Sequence, residues 1–219
     1  MRTVESLWRA TPGAYDAPVL NNQATRDTVS KVLDPVADSL AARKVNANVV
    51  TVIGCLGASI SALATIPFGN FGWGTALVCF FVLLDILDGA IARSRGTASS
   101  WGAFLDSTMD RIADGAVTAS VLIYFLREGS ALPIAAGLTV VVTGALVPYV
   151  KARAEASGIA VNGGLMERAE RLIAIGIGTT CAAFGWITGL EFAVYLLAVL
   201  GVVTVLQRIH LVRKGVRSA

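Results

Sequence analysis

Apolar residues run along this chain in long blocks, with charge confined to the segments between them. No charged residue occurs from Val45 to Leu84, a length that suffices for two helical membrane crossings of about 20 residues each. Pro67, Gly69, Gly72 and Gly74 mark the turn between the two. Further uncharged runs extend from Ser130 to Val150, from Leu172 to Leu190 and from Phe192 to Gln207, the last continuing amphipathically to Leu211. One more block, Trp101 to Phe125, is apolar only from Gly115 onward and carries Asp106, Asp110, Arg111 and Asp114 in its first half. The pattern predicts an all-α integral membrane protein with six transmembrane helices.

Ahead of the first span, Val29, Val32, Leu33, Val36 and Leu40 recur at helical spacing, with Arg26, Lys31, Asp34 and Asp38 on the other faces. This period predicts an amphipathic helix over 24–44, kinked at Pro35 and lying in the membrane interface. Residues 1–23 have no clear period and form a tail or extension. The six-helix transmembrane domain is then 45–219. Composition agrees with this division: 55% of the 219 residues are hydrophobic, 15% are charged and the mean hydropathy is +0.68, outside the range of soluble domains.

Charge adds an orientation. With both termini on one side and six crossings, 17 of the 18 Lys and Arg residues fall on that side, and only Arg127 falls opposite. The positive side of a membrane protein is cytoplasmic, which predicts a multi-pass protein of the cell membrane with cytoplasmic termini. The N-terminus has no charged region followed by an apolar one, so no cleaved signal peptide is expected. Cys55, Cys79 and Cys181 each fall inside a predicted span and read as small buried hydrophobes. No nucleic-acid partner is expected.

Four aspartates then stand out against this apolar background. Asp85 and Asp88 are three apart, and Asp106 and Asp110 four apart, so each pair occupies one face of its helix. The short link from Arg93 to Ser100 makes the two helices antiparallel neighbours, with both pairs near the inner surface. Converging carboxylates in a low-dielectric site raise one another's pKa, and a cation among them relieves this. All-oxygen ligands suit two Mg²⁺ ions, with Mn²⁺ as the other candidate. The absence of nearby His or Cys in sequence argues against zinc. Gly89, Ala92 and Gly102 leave space beside the aspartates, and Arg93 supplies a charge suited to a phosphate. These features favour phosphoryl transfer, with a cation or proton pathway as the alternative class.

The arrangement Asp85-x2-Asp88-Gly89-x2-Ala92-Arg93-x8-Gly102-x3-Asp106-x3-Asp110 resembles the signature of the CDP-alcohol phosphotransferases, with every fixed position present. The resemblance implies transfer of a phosphatidyl group from CDP-diacylglycerol, or of a phosphobase from a CDP-alcohol, to a hydroxyl, with release of CMP. It implies that Asp85, Asp88, Asp106 and Asp110 hold the metals and that Asp110 is also the general base. Gly89 and Arg93 would contact the nucleotide and its phosphates. The family often has a Pro-Asn or Pro-Asp pair followed by Thr at the first span; here Ala47-Asn48-Val49-Val50-Thr51 stands there. Asn48, Val49, Val50, Thr51 and Ser99 complete the expected CDP-diacylglycerol site. The resemblance also implies a homodimer.

The acceptor is addressed by a basic cluster: Tyr149, Lys151 and Arg153 after the fourth span, and Arg168 and Arg171 opening the fifth. As a group these suit an acidic acceptor. The wording "FVLLDILDGAIARSRG", "LDSTMDRIADGAV" and "YVKARAEASG" is similar to the actinobacterial phosphatidylinositol-phosphate-synthesising branch of the family. There, Lys151, Arg153 and Arg171 would hold the phosphate of 1D-myo-inositol 3-phosphate. Glycerol 3-phosphate is the nearest alternative acceptor. Intramembrane prenyltransferases also use aspartate-rich helices, but with two motifs far apart. Asp114 has no assigned role.

Overall fold

The computed structural model describes residues 46–94, 99–161 and 164–218, and among these it has six α-helices. They are α1 (Ala47–Thr65), α2 (Phe71–Ser94), α3 (Ser100–Glu128), α4 (Ala131–Ala156), α5 (Arg168–Ala183) and α6 (Ile187–Ser218). No strand occurs among the described residues. The predicted tail 1–23 and amphipathic helix 24–44 lie outside the described residues.

Several helix ends have a local cause. The Asn46 side chain caps α1 by accepting from the Asn48 amide at 3.0 Å. After α1, a 3-10 turn at Ile66–Phe68 carries Pro67 near its start and closes on Gly69 at φ 77°. Ser99 caps α3, its hydroxyl accepting from the Gly102 amide at 3.1 Å. Gly129 ends α3 at φ 75°, a left-handed conformation that glycine adopts without a Cβ penalty. At the start of α5, Glu167 and Glu170 form a reciprocal capping box.

One boundary differs from the sequence reading. The uncharged runs place the break between the last two spans at Glu191, whereas the chain turns at Gly185, φ 87°, and Glu191 lies inside α6. A single carboxylate near a helix end is tolerated where it reaches the interface; a turn needs a residue that can adopt positive φ. As a result α5 has only 16 residues, a rise of about 24 Å, while α6 has 32.

Among the described residues, three stretches are long and apolar enough to cross a membrane: Ala47–Phe68, Ala131–Ala156 and Ile187–Val216. A shorter apolar stretch, Phe71–Asp85, opens α2. α1 packs on α2 and α3, α4 on α3 and α6, and α5 on α6 and α2. Val117, Val121 and Phe125 of α3 meet Val140 of α4, Ile175 of α5 and Leu190, Val194 and Leu197 of α6 in the core. Phe71 and Tyr124 stack edge to face with centroids 4.8 Å apart. Large apolar side chains such as Ile53, Ile60, Phe192 and Val199 point outward, as expected where the surrounding solvent is lipid.

Small residues set the closest crossings. A Cβ at Gly178 of α5 would lie 2.9 Å from the Ala193 Cβ and 3.2 Å from the Leu190 Cα of α6. Because backbone would have to move, Gly178→Ala is expected to destabilise the protein by about 1–3 kcal/mol. A thermal melt in detergent reads this; an unchanged melting temperature would show that the crossing is looser than described.

Candidate active site

The aspartates gather at the end of the bundle where α2 finishes and α3 and α5 begin. Asp85, Asp106 and Asp110 each offer a carboxylate oxygen, and these atoms lie within 4.8 Å of one another. The Asp85 and Asp110 side chains are only 11% and 13% exposed. α1 comes close enough to cover them because Gly54 has no side chain: a Cβ there would sit 3.3 Å from the Phe81 carbonyl oxygen and 3.4 Å from the Asp85 Cβ. Asp88, Gly89 and Arg93 fall within the backbone of α2, but their side chains lie outside the described residues.

Among the described residues, a cation against these carboxylates comes from a segment that the aspartate spacing does not reveal. Arg168, the first residue of α5, places its Nη2 2.7 Å from Asp110 Oδ1 and 3.5 Å from Asp85 Oδ2. Its Nε donates to Asp114 Oδ1 at 3.2 Å. Sequence reasoning grouped Arg168 with the acceptor-side cations. Here it lies among the aspartates.

Asp114, left unassigned above, proves to be the second centre of the site. It is 5% exposed and accepts from Arg171 Nη2 at 2.6 Å, with Arg111 Nη2 also 3.5 Å away. Arg171 is itself 4% exposed. Its Nη1 reaches the Gly144 carbonyl of α4 at 3.5 Å. That carbonyl is available because its usual helical donor would be the amide of residue 148, which is Pro148. The sequence signal was present, a proline four residues after a glycine, but it points to a freed carbonyl and not to what would fill it.

The remaining predicted residues divide. Asn48, Ser99 and Gly102 come together: a Cβ at Gly102 would meet Ser99 Oγ at 3.4 Å and Asn48 Oδ1 at 3.5 Å. Ser99 serves there as a helix cap, a role its position before an apolar helix could have signalled. The Thr51 hydroxyl donates to the Ala47 carbonyl at 3.1 Å. Val50 is buried against Ile91, and Val49 is exposed. Of the expected acceptor cations, Arg171 joins the aspartate network, whereas Arg153 is exposed at the end of α4 and Lys151 lies 3.9 Å from Glu155.

The cluster suits a hard divalent ion. Its donors are all carboxylate oxygens, and Asp110 Oδ1 is buried without a well-oriented hydrogen bond despite its ion pair with Arg168. A cavity of about 10 Å³ opens beside Asp85, Asp110 and Arg168, room for roughly one water or ion. A sequence model of the CDP-alcohol phosphatidyltransferase family matches residues 44–206. This chain belongs to that family. As a CDP-alcohol phosphatidyltransferase it is a transferase of phospholipid synthesis, and the family depends on divalent metal.

Among its relatives, the phosphatidylinositol phosphate synthase of Mycobacteroides abscessus is 41% identical over 191 residues, covering 86% of this chain and 87% of that protein. The crystal structure of the Mycobacterium tuberculosis phosphatidylinositol phosphate synthase with CDP-diacylglycerol bound superposes with a TM-score of 0.79 at 39% identity, covering 83% of this phosphatidyltransferase and 94% of that chain. The same synthase in complex with manganese and citrate superposes at 0.76, covering 82% and 88%.

Proposed function

We propose that this transferase is a phosphatidylinositol-phosphate synthase, moving the phosphatidyl group of CDP-diacylglycerol to 1D-myo-inositol 3-phosphate and releasing CMP. The observation that carries the reading is the contiguity of a carboxylate cluster with a buried arginine network: one side suits a metal-bound pyrophosphate and the other an anionic acceptor. The similarity to synthases of that name points the same way. Two divalent ions, Mg²⁺ or Mn²⁺, held by Asp85, Asp88, Asp106 and Asp110 would act as Lewis acids on the pyrophosphate of the donor.

This chain's own residues do the rest. Asp110 takes the proton of the acceptor hydroxyl as its oxygen bonds to the phosphatidyl phosphorus and the bond to CMP breaks. Gly89, Arg93, Asn48, Val49, Val50, Thr51 and Ser99 receive the nucleotide and its phosphates. Lys151, Arg153 and Arg171 receive the acceptor's phosphate.

The placement follows from the chain's chemistry. Six crossings are proposed, with 24–44 as an interfacial helix ahead of the 45–219 catalytic domain and 1–23 as a tail. Positive-side asymmetry supports cytoplasmic termini and a cytoplasmic site in the cell membrane, and the family resemblance supports a homodimer.

The test is an assay of purified protein with CDP-diacylglycerol and Mg²⁺ against inositol phosphate, inositol, glycerol 3-phosphate and serine, with lipid products identified by mass. Phosphatidylinositol phosphate is the expected product. Product from glycerol 3-phosphate but none from inositol phosphate would move the assignment to phosphatidylglycerophosphate synthesis.

A further inference from the structure

Three arginines converge on one carboxylate that neither metal binding nor proton transfer uses. Asp114 stands one turn beyond Asp110 on α3 and receives Arg171 at 2.6 Å, Arg168 at 3.2 Å and Arg111 at 3.5 Å. Arg168 and Arg171 are three apart on α5, so both guanidiniums leave the same face of that helix. Two cations so placed repel each other, and the buried carboxylate between them offsets that repulsion.

The network is incomplete as it stands. The Nε of Arg171 is buried and has no hydrogen-bond partner, although the residue is 4% exposed. A guanidinium N–H in that situation calls for an acceptor that arrives from elsewhere. Charge says what kind. Once two divalent ions balance Asp85, Asp88, Asp106 and Asp110, one negative charge on Asp114 faces three positive charges on Arg111, Arg168 and Arg171. The surplus of two matches a phosphomonoester, which carries about −1.5 to −2 near neutral pH.

We infer that Asp114 is a positioning residue for the acceptor's phosphate: it holds the Arg168 and Arg171 guanidiniums in a fixed fork that the phosphate completes. The identity of the acceptor rests on the phosphatidyltransferase reading given above, while the phosphate fork itself can be tested without turnover. The sign of the effect separates positioning from plain electrostatics. Removing a carboxylate beside an anion site strengthens anion binding by Coulomb attraction. Removing a carboxylate that orients the binding arginines weakens it.

The experiment is a thermal-shift titration of the full chain in detergent with Mg²⁺, using inorganic phosphate, inositol phosphate and CDP-diacylglycerol in separate arms. For Asp114→Asn, affinity for inorganic phosphate is expected to fall about tenfold or more, one charge-assisted hydrogen bond's worth, with CDP-diacylglycerol affinity within about twofold of the parent. Unchanged or tighter phosphate binding would overturn the inference, as would an equal loss for phosphate and CDP-diacylglycerol, which marks general loosening. If Asp114→Asn leaves too much unpaired positive charge to fold, Arg171→Gln and Asp114→Asn/Arg171→Gln are compared instead. A further loss of phosphate affinity in the double variant, through Arg168, supports the fork, and no further loss overturns it. Parent protein that binds inositol phosphate no better than inorganic phosphate would remove the inositol assignment and leave the comparison of variants standing.

Discussion

Asp110→Asn is expected to lower the rate of CMP release by about 10²- to 10⁴-fold while leaving the helical fold in place. The substitution is nearly isosteric, and an amide oxygen can still accept from Arg168, which lies 2.7 Å from Asp110 Oδ1. What the amide cannot do is take a proton from an acceptor hydroxyl. It is also a weaker metal ligand, so two measurements are needed: turnover at saturating Mg²⁺, and the dependence of stability on Mg²⁺ concentration. A base role predicts lost turnover even at metal concentrations that restore full stabilisation. Near-normal CMP release under those conditions would remove Asp110 from proton transfer.

Chelating divalent metal is expected to stop CMP release and to lower the melting temperature by about 5–10 °C, the shift that corresponds to binding at roughly 100-fold above the dissociation constant. The reason is the approach of Asp85, Asp106 and Asp110 oxygens to within 4.8 Å, which leaves uncompensated repulsion when metal is removed. The loss stays bounded because Arg168 already lies against Asp85 and Asp110. Full activity after exhaustive chelation would exclude a metal role for the cluster, and recovery with Mg²⁺ or Mn²⁺ completes the test.

What the amino-acid sequence disclosed, and what it concealed, follows from the range of each interaction. The shared face of Asp106 and Asp110 was legible because a spacing of four residues is converted into one helical face by the helix alone. The break at Gly69 was within reach for the same reason, since turn chemistry is local. Arg168 was not placed among the aspartates because its partners Asp85 and Asp114 are remote along the chain and meet it only after α2, α3 and α5 have packed. Arg171, expected as an acceptor ligand, turned out to be bound to Asp114 and Gly144; its charge was legible and its partners were not. The misplaced break at Glu191 came from reading charge as a boundary, when the helix is ended by backbone conformation at Gly185. Ser99 was weighed as a nucleotide contact on its hydroxyl alone, and its cap on Gly102 shows that the same hydroxyl already shapes the start of α3.

Pro148 gives the site a property that no side chain would supply. By withholding an amide from the Gly144 carbonyl, it leaves a main-chain dipole pointing at Arg171. A second carboxylate in that place would anchor the guanidinium and also cancel its charge. A carbonyl adds a second hold beside the Asp114 carboxylate without bringing another negative charge. Arg208 also donates to a carbonyl of α4, that of Val147 at 2.7 Å, but shares its guanidinium with the Glu167 carboxylate at 3.4 Å. The defect in α4 thus works as a neutral mooring for the Arg171 guanidinium, steadying it without adding a further countercharge.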